Sequence, residues 1–279
     1  MSESGLSLLG RTAIVTGASS GIGSAIAAAL AKAGAVVFAA SRSGSIPAAV
    51  EGHEAKVFPV RLDVRDENAI RDLVARAVTE TGSVNIMVNN AGLNYPNTIL
   101  EGHAQHWREM FETNVLGVLA GAQAAIHAMR AGGFSGHIVK ISSIAGRREG
   151  AGVYGATKAA VNMIGESLRL ELQNDPIRIV QIVPGPVMTN FGRHYPAALV
   201  NGLLQAFGEP PIFVAGQTLP AAAIAQFQDR ARAVFASADD IARTVLFAVT
   251  QPIDLDLFEI VVRPGKDLPI GETVSGSGP

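Results

Sequence analysis

Short runs of apolar, often β-branched residues alternate along this chain with longer stretches whose apolar positions recur at helical spacing. The pattern predicts strands at 12–16, 36–40, 57–62, 86–88, 137–141, 178–183 and 258–262. Most of these runs are continuously apolar rather than alternating, as in strands covered on both faces. Between them the spacing predicts helices near 22–33, 66–80, 103–131, 152–173 and 238–250. Strands alternating with helices of this length form βαβ units around a parallel sheet. The expected fold class is therefore α/β: a doubly wound, seven-stranded parallel sheet with helices on both faces, in one domain spanning 1–279.

The rhythm breaks between 190 and 236. There Pro196, Pro210, Pro211 and Pro220 surround two short helical stretches, 197–207 and 221–235, with no strand. An insertion of that length inside a compact domain reads as a substrate lid. The tail, 264–279, is rich in Gly, Ser and Pro and is expected to fray.

Composition narrows the classes. Apolar residues make up 48% of the 279 and charged residues 16%, against a usual charged share of ~25%. So uncharged a chain must bury much of itself, in a covered sheet and in subunit contacts. The formal net charge is −2 with no basic stripe, which argues against a nucleic-acid partner. With no cysteine, disulfides, thiolate catalysis and thiolate metal sites are excluded, and no metal site is predicted. The first ten residues lack a cationic leader, and the apolar stretch from Ala25 to Ala40 is interrupted by Lys32 and Gly34. It falls short of the ~20 residues a membrane span needs. A soluble, cytoplasmic protein without a membrane partner is the expectation.

Two local patterns carry chemistry. The first strand runs into Thr16-Gly17-Ala18-Ser19-Ser20-Gly21-Ile22-Gly23 ahead of a helix. Glycines there permit a tight turn and close approach of a pyrophosphate, which the helix N-terminus stabilises. At the end of the second strand an acidic side chain would hold the ribose of NAD, whereas an arginine accepts the 2′-phosphate of NADP. The chain reads Ala40-Ser41-Arg42-Ser43-Gly44-Ser45, without a carboxylate, which predicts NADP(H) over NAD(H). The second pattern is Tyr154-Gly155-Ala156-Thr157-Lys158. Residues four apart share a helix face, so an ammonium lies beside a phenol. Two charges ~4 Å apart at an effective dielectric of ~20 interact by roughly 4 kcal/mol, enough to bring a phenol toward neutral pH.

In order, these residues resemble the short-chain dehydrogenase/reductase family over nearly the whole length. The matches are Thr16-Gly17-x-x-x-Gly21-x-Gly23, Asp63, Asn89-Asn90-Ala91-Gly92, Asn114, Ser142-Ser143, Tyr154-x-x-x-Lys158 and Pro184-Gly185-Pro186-Val187-Met188-Thr189. The resemblance implies a Rossmann-type sheet and hydride transfer between a nicotinamide and a carbonyl or alcohol carbon. It implies that Tyr154 is the general acid/base and that Lys158 lowers its pKa and holds the nicotinamide ribose. Ser143 would orient the substrate oxygen and Asn114 a relaying water. The cofactor would lie along Gly17, Ser19, Ser20, Gly21, Ile22 and Gly23, then Ser41 and Arg42. Asp63 and Val64 would take the adenine, with Asp63 accepting from its amino group. Asn90, Ala91 and Gly92 would close the pocket. Pro184, Gly185, Val187 and Thr189 would hold the nicotinamide, and Asn89 would be mainly structural. The loop between Ser143 and Tyr154 is shorter than the family's common form, which leaves Ser142 as the alternative to Ser143.

The substrate expected is an apolar or bulky carbonyl compound, from Phe191, Leu203, Leu204, Phe207, Ile212, Phe213 and Phe227 in the lid. Tyr95, His194 and Tyr195 are candidates for the pocket wall, and Arg147 and Arg148 either attract an anionic group or are solvated. The 152–173 helix is apolar over more than one face, which needs a second surface. With the family's habit of pairing helices across two-fold axes, this predicts a homotetramer, with a dimer as the alternative. The rival readings are an NAD-dependent alcohol dehydrogenase of the same family, an epimerase or dehydratase sharing the tyrosine–lysine pair, and a catalytically silent dinucleotide-binding regulator.

Overall fold

A computed structural model describes residues 7–45, 48–50, 52–53 and 56–266. The elements in order are β1 (Thr12–Thr16), α1 (Gly21–Lys32), β2 (Val36–Ser41), β3 (Val57–Arg61), α2 (Glu67–Thr81) and β4 (Ile86–Asn89). Next come α3 (Ala104–Phe111), α4 (Gly117–Gly132), β5 (Gly136–Ile141), α5 (Gly152–Glu171) and β6 (Ile177–Pro184). The last are α6 (Ala197–Ala206), α7 (Ala221–Ala231), α8 (Ala238–Val249) and β7 (Glu259–Val262). All seven expected strands form, in one sheet of order β3-β2-β1-β4-β5-β6-β7 with every pairing parallel. The order reverses between β1 and β4, the switch point beyond whose strand carboxyl ends open α/β sheets bind their ligands.

Alternate strand residues feed the two faces. Val15, Val37, Val88 and Val139 pack with Ile26 and Leu30 of α1 and Ile241 and Val245 of α8. Ile14, Phe38, Met87 and Ile138 pack with Leu73 of α2 and Ile126 and Met129 of α4. Continuous apolar runs arise because both faces are covered. The edges differ: in β3, Phe58 and Pro59 are exposed, and β7 is half-exposed along its length. Proline suits such an edge, since it cannot donate to a further strand.

Helix ends follow local chemistry. The Asp66 side chain accepts from the Ala69 N–H and starts α2, and Gly82 at φ 83° ends it. Ser237 and Asp240 form a reciprocal capping box at the start of α8. The predicted 103–131 helix is interrupted by a π-helical turn at Glu112–Leu116. The expected 221–235 helix ends at Ala231, because the chain turns back so that Ala236 donates to the Pro186 carbonyl and pairs with Val187.

The 190–236 segment builds its own apolar cluster from Val200, Leu204, Phe213, Leu219, Phe227 and Phe235. Of the tail expected to fray, 267–279 lie outside the described residues.

Candidate active site

The glycine turn after β1 is laced to the end of β4. The Asn90 side-chain amide donates to the carbonyls of Thr16 (2.8 Å) and Gly17 (3.3 Å). The Thr16 hydroxyl accepts from the N–H groups of Asn90 and Ala91 and donates to the Val88 carbonyl. Gly17 has φ 66°, and a Cβ there would stand 2.9 Å from the Ala91 Cα. At Gly23 a Cβ would collide with the Gly17 carbonyl, so the helix start can approach the turn only with glycine there. Ser20 makes no side-chain capping bond, and no acidic residue occupies the first turn of α1. The helix N-terminus is thus left facing the crevice, a fit for a diphosphate. Ser19 is half-buried in the turn, whereas Ile22, in the first turn of α1, is partly buried against the core.

At the end of β2 the hydroxyls of Ser41, Ser43 and Ser45 form a chain at 3.2 and 2.8 Å, and Arg42 is exposed beside them. After β3, Asp63 is gripped by Arg65: the guanidinium binds both carboxylate oxygens through three bonds and the Arg65 N–H adds a fourth. These bonds hold the Asp63 carboxyl below its ordinary pKa. Asp63 therefore serves its own loop, and an adenine amino group would have to share it. Val64 is buried against Gly117 at the start of α4. Asn89 points away from the crevice, against Gly121 of α4, consistent with a structural part.

The predicted catalytic residues converge. Tyr154 and Lys158 lie on one face of α5, with the Lys158 Nζ 5.8 Å from the phenol ring centre. Lys158 is buried and donates to the Ile141 carbonyl at 2.8 Å. Gly92 lies close to both the Asn114 side-chain oxygen and the Lys158 Nζ, its Cβ position being 3.3 and 3.9 Å from them. Asn114 sits in the π-helical turn, fully buried, exchanging bonds of 2.9 Å with the N–H and carbonyl of Leu93. It also donates to the Thr157 hydroxyl. Isolated π turns of this kind are frequent at functional sites.

The two serines divide their work. Ser142 is buried and donates to the Asn162 side chain at 2.5 Å, inside the fold. Ser143 lies two residues past β5, caps the 144–147 turn by accepting from the Ala145 N–H, and hydrogen-bonds Tyr154. The geometry favours Ser143 as the serine facing the site.

Electrostatics depart from the sequence expectation. Burial raises the Tyr154 phenol above its ordinary value and outweighs the Ser143 hydrogen bond, which lowers it. Burial also depresses Lys158, to about 8. Lys158 thus does not lower the Tyr154 pKa in the protein alone. Burial is the dominant influence on both groups.

The 189–195 stretch closes over this site. Thr189 caps the 190–194 turn by accepting from the Phe191 N–H. The Phe191 ring lies 5.7 Å from the Tyr154 ring. Tyr195 accepts from the Asn94 side chain at 3.0 Å. The Tyr95 ring stacks on His106 at 3.9 Å, meets His194 at 4.9 Å, and its hydroxyl donates to Glu109. Tyr95 and His194 are therefore in contact with each other, and Tyr195 meets Asn94 of the loop after β4. Of the lid's apolar residues, Leu204, Phe213 and Phe227 are buried in the segment's own cluster, with Phe207 packed on it, and Ile212 is exposed. Arg147 is held by Glu259 and is not an open anion site; Arg148 is exposed. Pro184, Gly185 and Val187 pin the end of β6, Gly185 donating to the Val262 carbonyl.

Sequence reading missed His106 and Glu109, whose part depends on how the 93–102 loop folds back. It also missed Lys140, fully buried in β5. Its Nζ donates to the Val161 carbonyl and to Gln181, which donates in turn to Glu259. A Cβ at Gly165 would collide with that Nζ, so the glycine makes room for the buried amine. A polar residue within an otherwise apolar strand run was the one available signal.

Comparison with known proteins agrees with this geometry. A family model described as short chain dehydrogenase matches residues 11–199, and the chain belongs to the short-chain dehydrogenase/reductase family of oxidoreductases. The chain is 32% identical over 269 residues to a glycine betaine reductase of Emericella nidulans, covering 94% of this chain and 19% of that much longer protein. It is 30% identical over 270 residues to a farnesol dehydrogenase of Aedes aegypti, covering 91% and 96% of the two. Among solved structures, an alcohol dehydrogenase of Thermococcus sibiricus complexed with 5-hydroxy-NADP superposes with a TM-score of 0.73. It is 25% identical, covering 93% of this chain and 98% of the other. A Burkholderia phymatum short-chain dehydrogenase/reductase in complex with NAD gives 0.71 at 27% identity, covering 94% and 90%. A nicotinamide dinucleotide is thus the cofactor class. No helix among the described residues is long and apolar enough to cross a membrane.

Proposed function

We propose that the protein is an NADPH-dependent oxidoreductase that interconverts a ketone or aldehyde with an alcohol, with Tyr154 as the general acid/base. The observation that carries this is the convergence of Ser143, Tyr154, Lys158 and Asn114 beside a glycine turn built for a diphosphate. The bound nicotinamide would supply the hydride. Ser143 orients the carbonyl oxygen and Tyr154 gives it a proton. A phenol held above its ordinary pKa is fully protonated at neutral pH, which suits the reducing direction. Lys158 would hold the nicotinamide ribose, and Asn114 keeps the loop at Leu93 and the helix at Thr157 in fixed relation.

The NADPH preference rests on Arg42 and the serine hydroxyls in place of a carboxylate at the end of β2. Steady-state kinetics followed at 340 nm should give a kcat/KM for NADPH at least tenfold above that for NADH. Arg42→Ala should erase most of that ratio by raising the KM for NADPH. A wild-type preference for NADH would favour the rival NAD-dependent reading instead.

The 190–236 segment acts in this reading as a lid over an apolar or bulky carbonyl substrate, with Phe191 its point of contact. Phe191→Ala should cut kcat/KM for a large cyclic ketone by about tenfold, the scale of one lost aromatic contact, and leave a small ketone nearly unaffected. Equal losses for both would point to a collapsed site and away from substrate packing.

A cytoplasmic homotetramer is the proposed form. Leu116 and Leu119 of the π turn and α4, and Met163 and Leu170 of α5, are exposed apolar side chains that pairing would cover. Sedimentation should give a tetramer, reduced to smaller species by Met163→Glu; a wild-type monomer at micromolar concentration would contradict it.

A further inference from the structure

We propose that Lys140 is a positioning residue for the reaction: its buried amine fixes α5, the helix of Tyr154 and Lys158, against β5 and joins it to the turn that presents Ser143. The proposal rests on the oxidoreductase reading and adds to it a residue that touches no reactant.

Lys140 begins a polar row across the sheet. It pairs in register with Gln181 of β6, and Gln181 pairs with Glu259 of β7. The three side chains therefore leave the sheet on one face, where they join. The Lys140 Nζ donates to the Gln181 side-chain oxygen at 2.8 Å, and the Gln181 amide donates to Glu259 at 2.8 Å. Glu259 in turn holds Arg147, the last residue of the 144–147 turn that Ser143 caps. The second Nζ bond, 2.9 Å, goes to the Val161 carbonyl of α5. Lys158, Val161 and Gly165 follow one another at helical spacing, and all three are buried. A Cβ on Gly165 would fall on the Lys140 nitrogen, so α5 is shaped around the amine.

Lys140 thus stands where two elements must meet accurately. The carbonyl of the next residue, Ile141, accepts from the Lys158 Nζ at 2.8 Å, and Ser143 hydrogen-bonds Tyr154. A slip of α5 along β5 would alter both contacts at once. For packing alone the amine is a costly choice. Burial pushes its pKa down to about 7, with Glu166 and Glu259 acting in the opposite direction. An apolar side chain of similar length would fill the space without that desolvation, and such replacements of buried ionic groups are often neutral or stabilising. What it would lack is direction. The amine makes two oriented bonds, one to the helix and one to the row that ends at the Ser143 turn. A misplacement of ~1 Å at a reacting centre costs up to ~10²-fold in rate.

The test combines Lys140→Met with Gln181→Leu, so that neither the amine nor the amide is left buried without the other. Its readouts are the melting temperature of the apoprotein, the NADPH dissociation constant by fluorescence titration, and single-turnover reduction of a ketone. The double variant should melt within a few degrees of wild type, bind NADPH within about threefold, and reduce the ketone about 10- to 100-fold more slowly. Wild-type turnover in the folded double variant would overturn the proposal, whatever its melting temperature. Turnover and NADPH affinity falling by the same factor would overturn it too, as a general loosening of the cofactor site. Arg147→Met, at the exposed end of the row, decides the matter should the double variant not fold. It should slow turnover about threefold in the wild-type background and add nothing to Ser143→Ala. No effect in either background, or equal factors in both, would overturn the link to Ser143. Failure of the oxidoreductase reading is separable, since it appears as undiminished turnover by Tyr154→Phe.

Discussion

Tyr154→Phe is expected to lower kcat by about 10²- to 10⁴-fold, the usual contribution of a positioned acid–base group, while the dissociation constant for NADPH stays within about twofold. The substitution removes one hydroxyl and keeps the ring, so the packing on Phe191 and beside Lys158 survives. What disappears is the proton donor that Ser143 hydrogen-bonds. Single-turnover reduction, followed by loss of NADPH absorbance, separates this from a binding defect. A variant that turned over at more than a tenth of the wild-type rate would exclude the phenol as the acid. The proton would then have to come from solvent.

Ser143→Ala should be milder, because in the proposed reaction its hydroxyl would orient the oxygen without transferring the proton. Ser142 is the contrasting case. Its hydroxyl is spent on Asn162 within the fold, so its removal should appear in stability before it appears in catalysis.

The sheet was legible because its strands are buried on both faces and therefore spell continuous apolar runs; β1, β4 and β6 appear within a residue or so of where the sequence puts them. The run at 57–61 misleads, since Val57, Phe58, Pro59 and Val60 look like a covered strand, yet β3 is an edge strand on which Phe58 and Pro59 are exposed. Strand order, not local composition, decides which strand has no outer neighbour. The glycine turn and the tyrosine–lysine spacing were readable because they follow directly from backbone geometry and helical pitch. The π turn at Asn114 was not, because what holds it is Leu93 and Thr157, one from a loop and one from another helix. The aromatic and imidazole group at Tyr95, His106 and His194 was hidden for the same reason: three separated segments meet only after the lid packs down. The lid's apolar residues were over-read, since a segment with two short helices needs most of them for its own core.

The electrostatic departure at Lys158 has the second large consequence. NADPH-driven reduction should lose activity on the alkaline side, with a midpoint near 8, falling about tenfold per pH unit beyond it for a single required proton. The sign follows from which form is charged. A buried lysine whose pKa is depressed carries its proton below that value and loses it above, and with it the cation that, in the proposed reaction, would hold the ribose and steady the developing tyrosinate. Tyr154 cannot account for the limb, because burial moves it the other way, above an ordinary tyrosine. Of the two groups the lysine is reached first as pH rises. Lys158→Arg discriminates between them, since a guanidinium stays charged throughout the range. Whatever activity that variant retains should lose its limb near 8 and persist to the tyrosine's higher range. The kcat/KM profile for a ketone substrate, measured at saturating NADPH between pH 6 and 10 for both proteins, checks this. An identical limb in the two would assign the titration elsewhere, and burial of the lysine would no longer explain the protein's working pH.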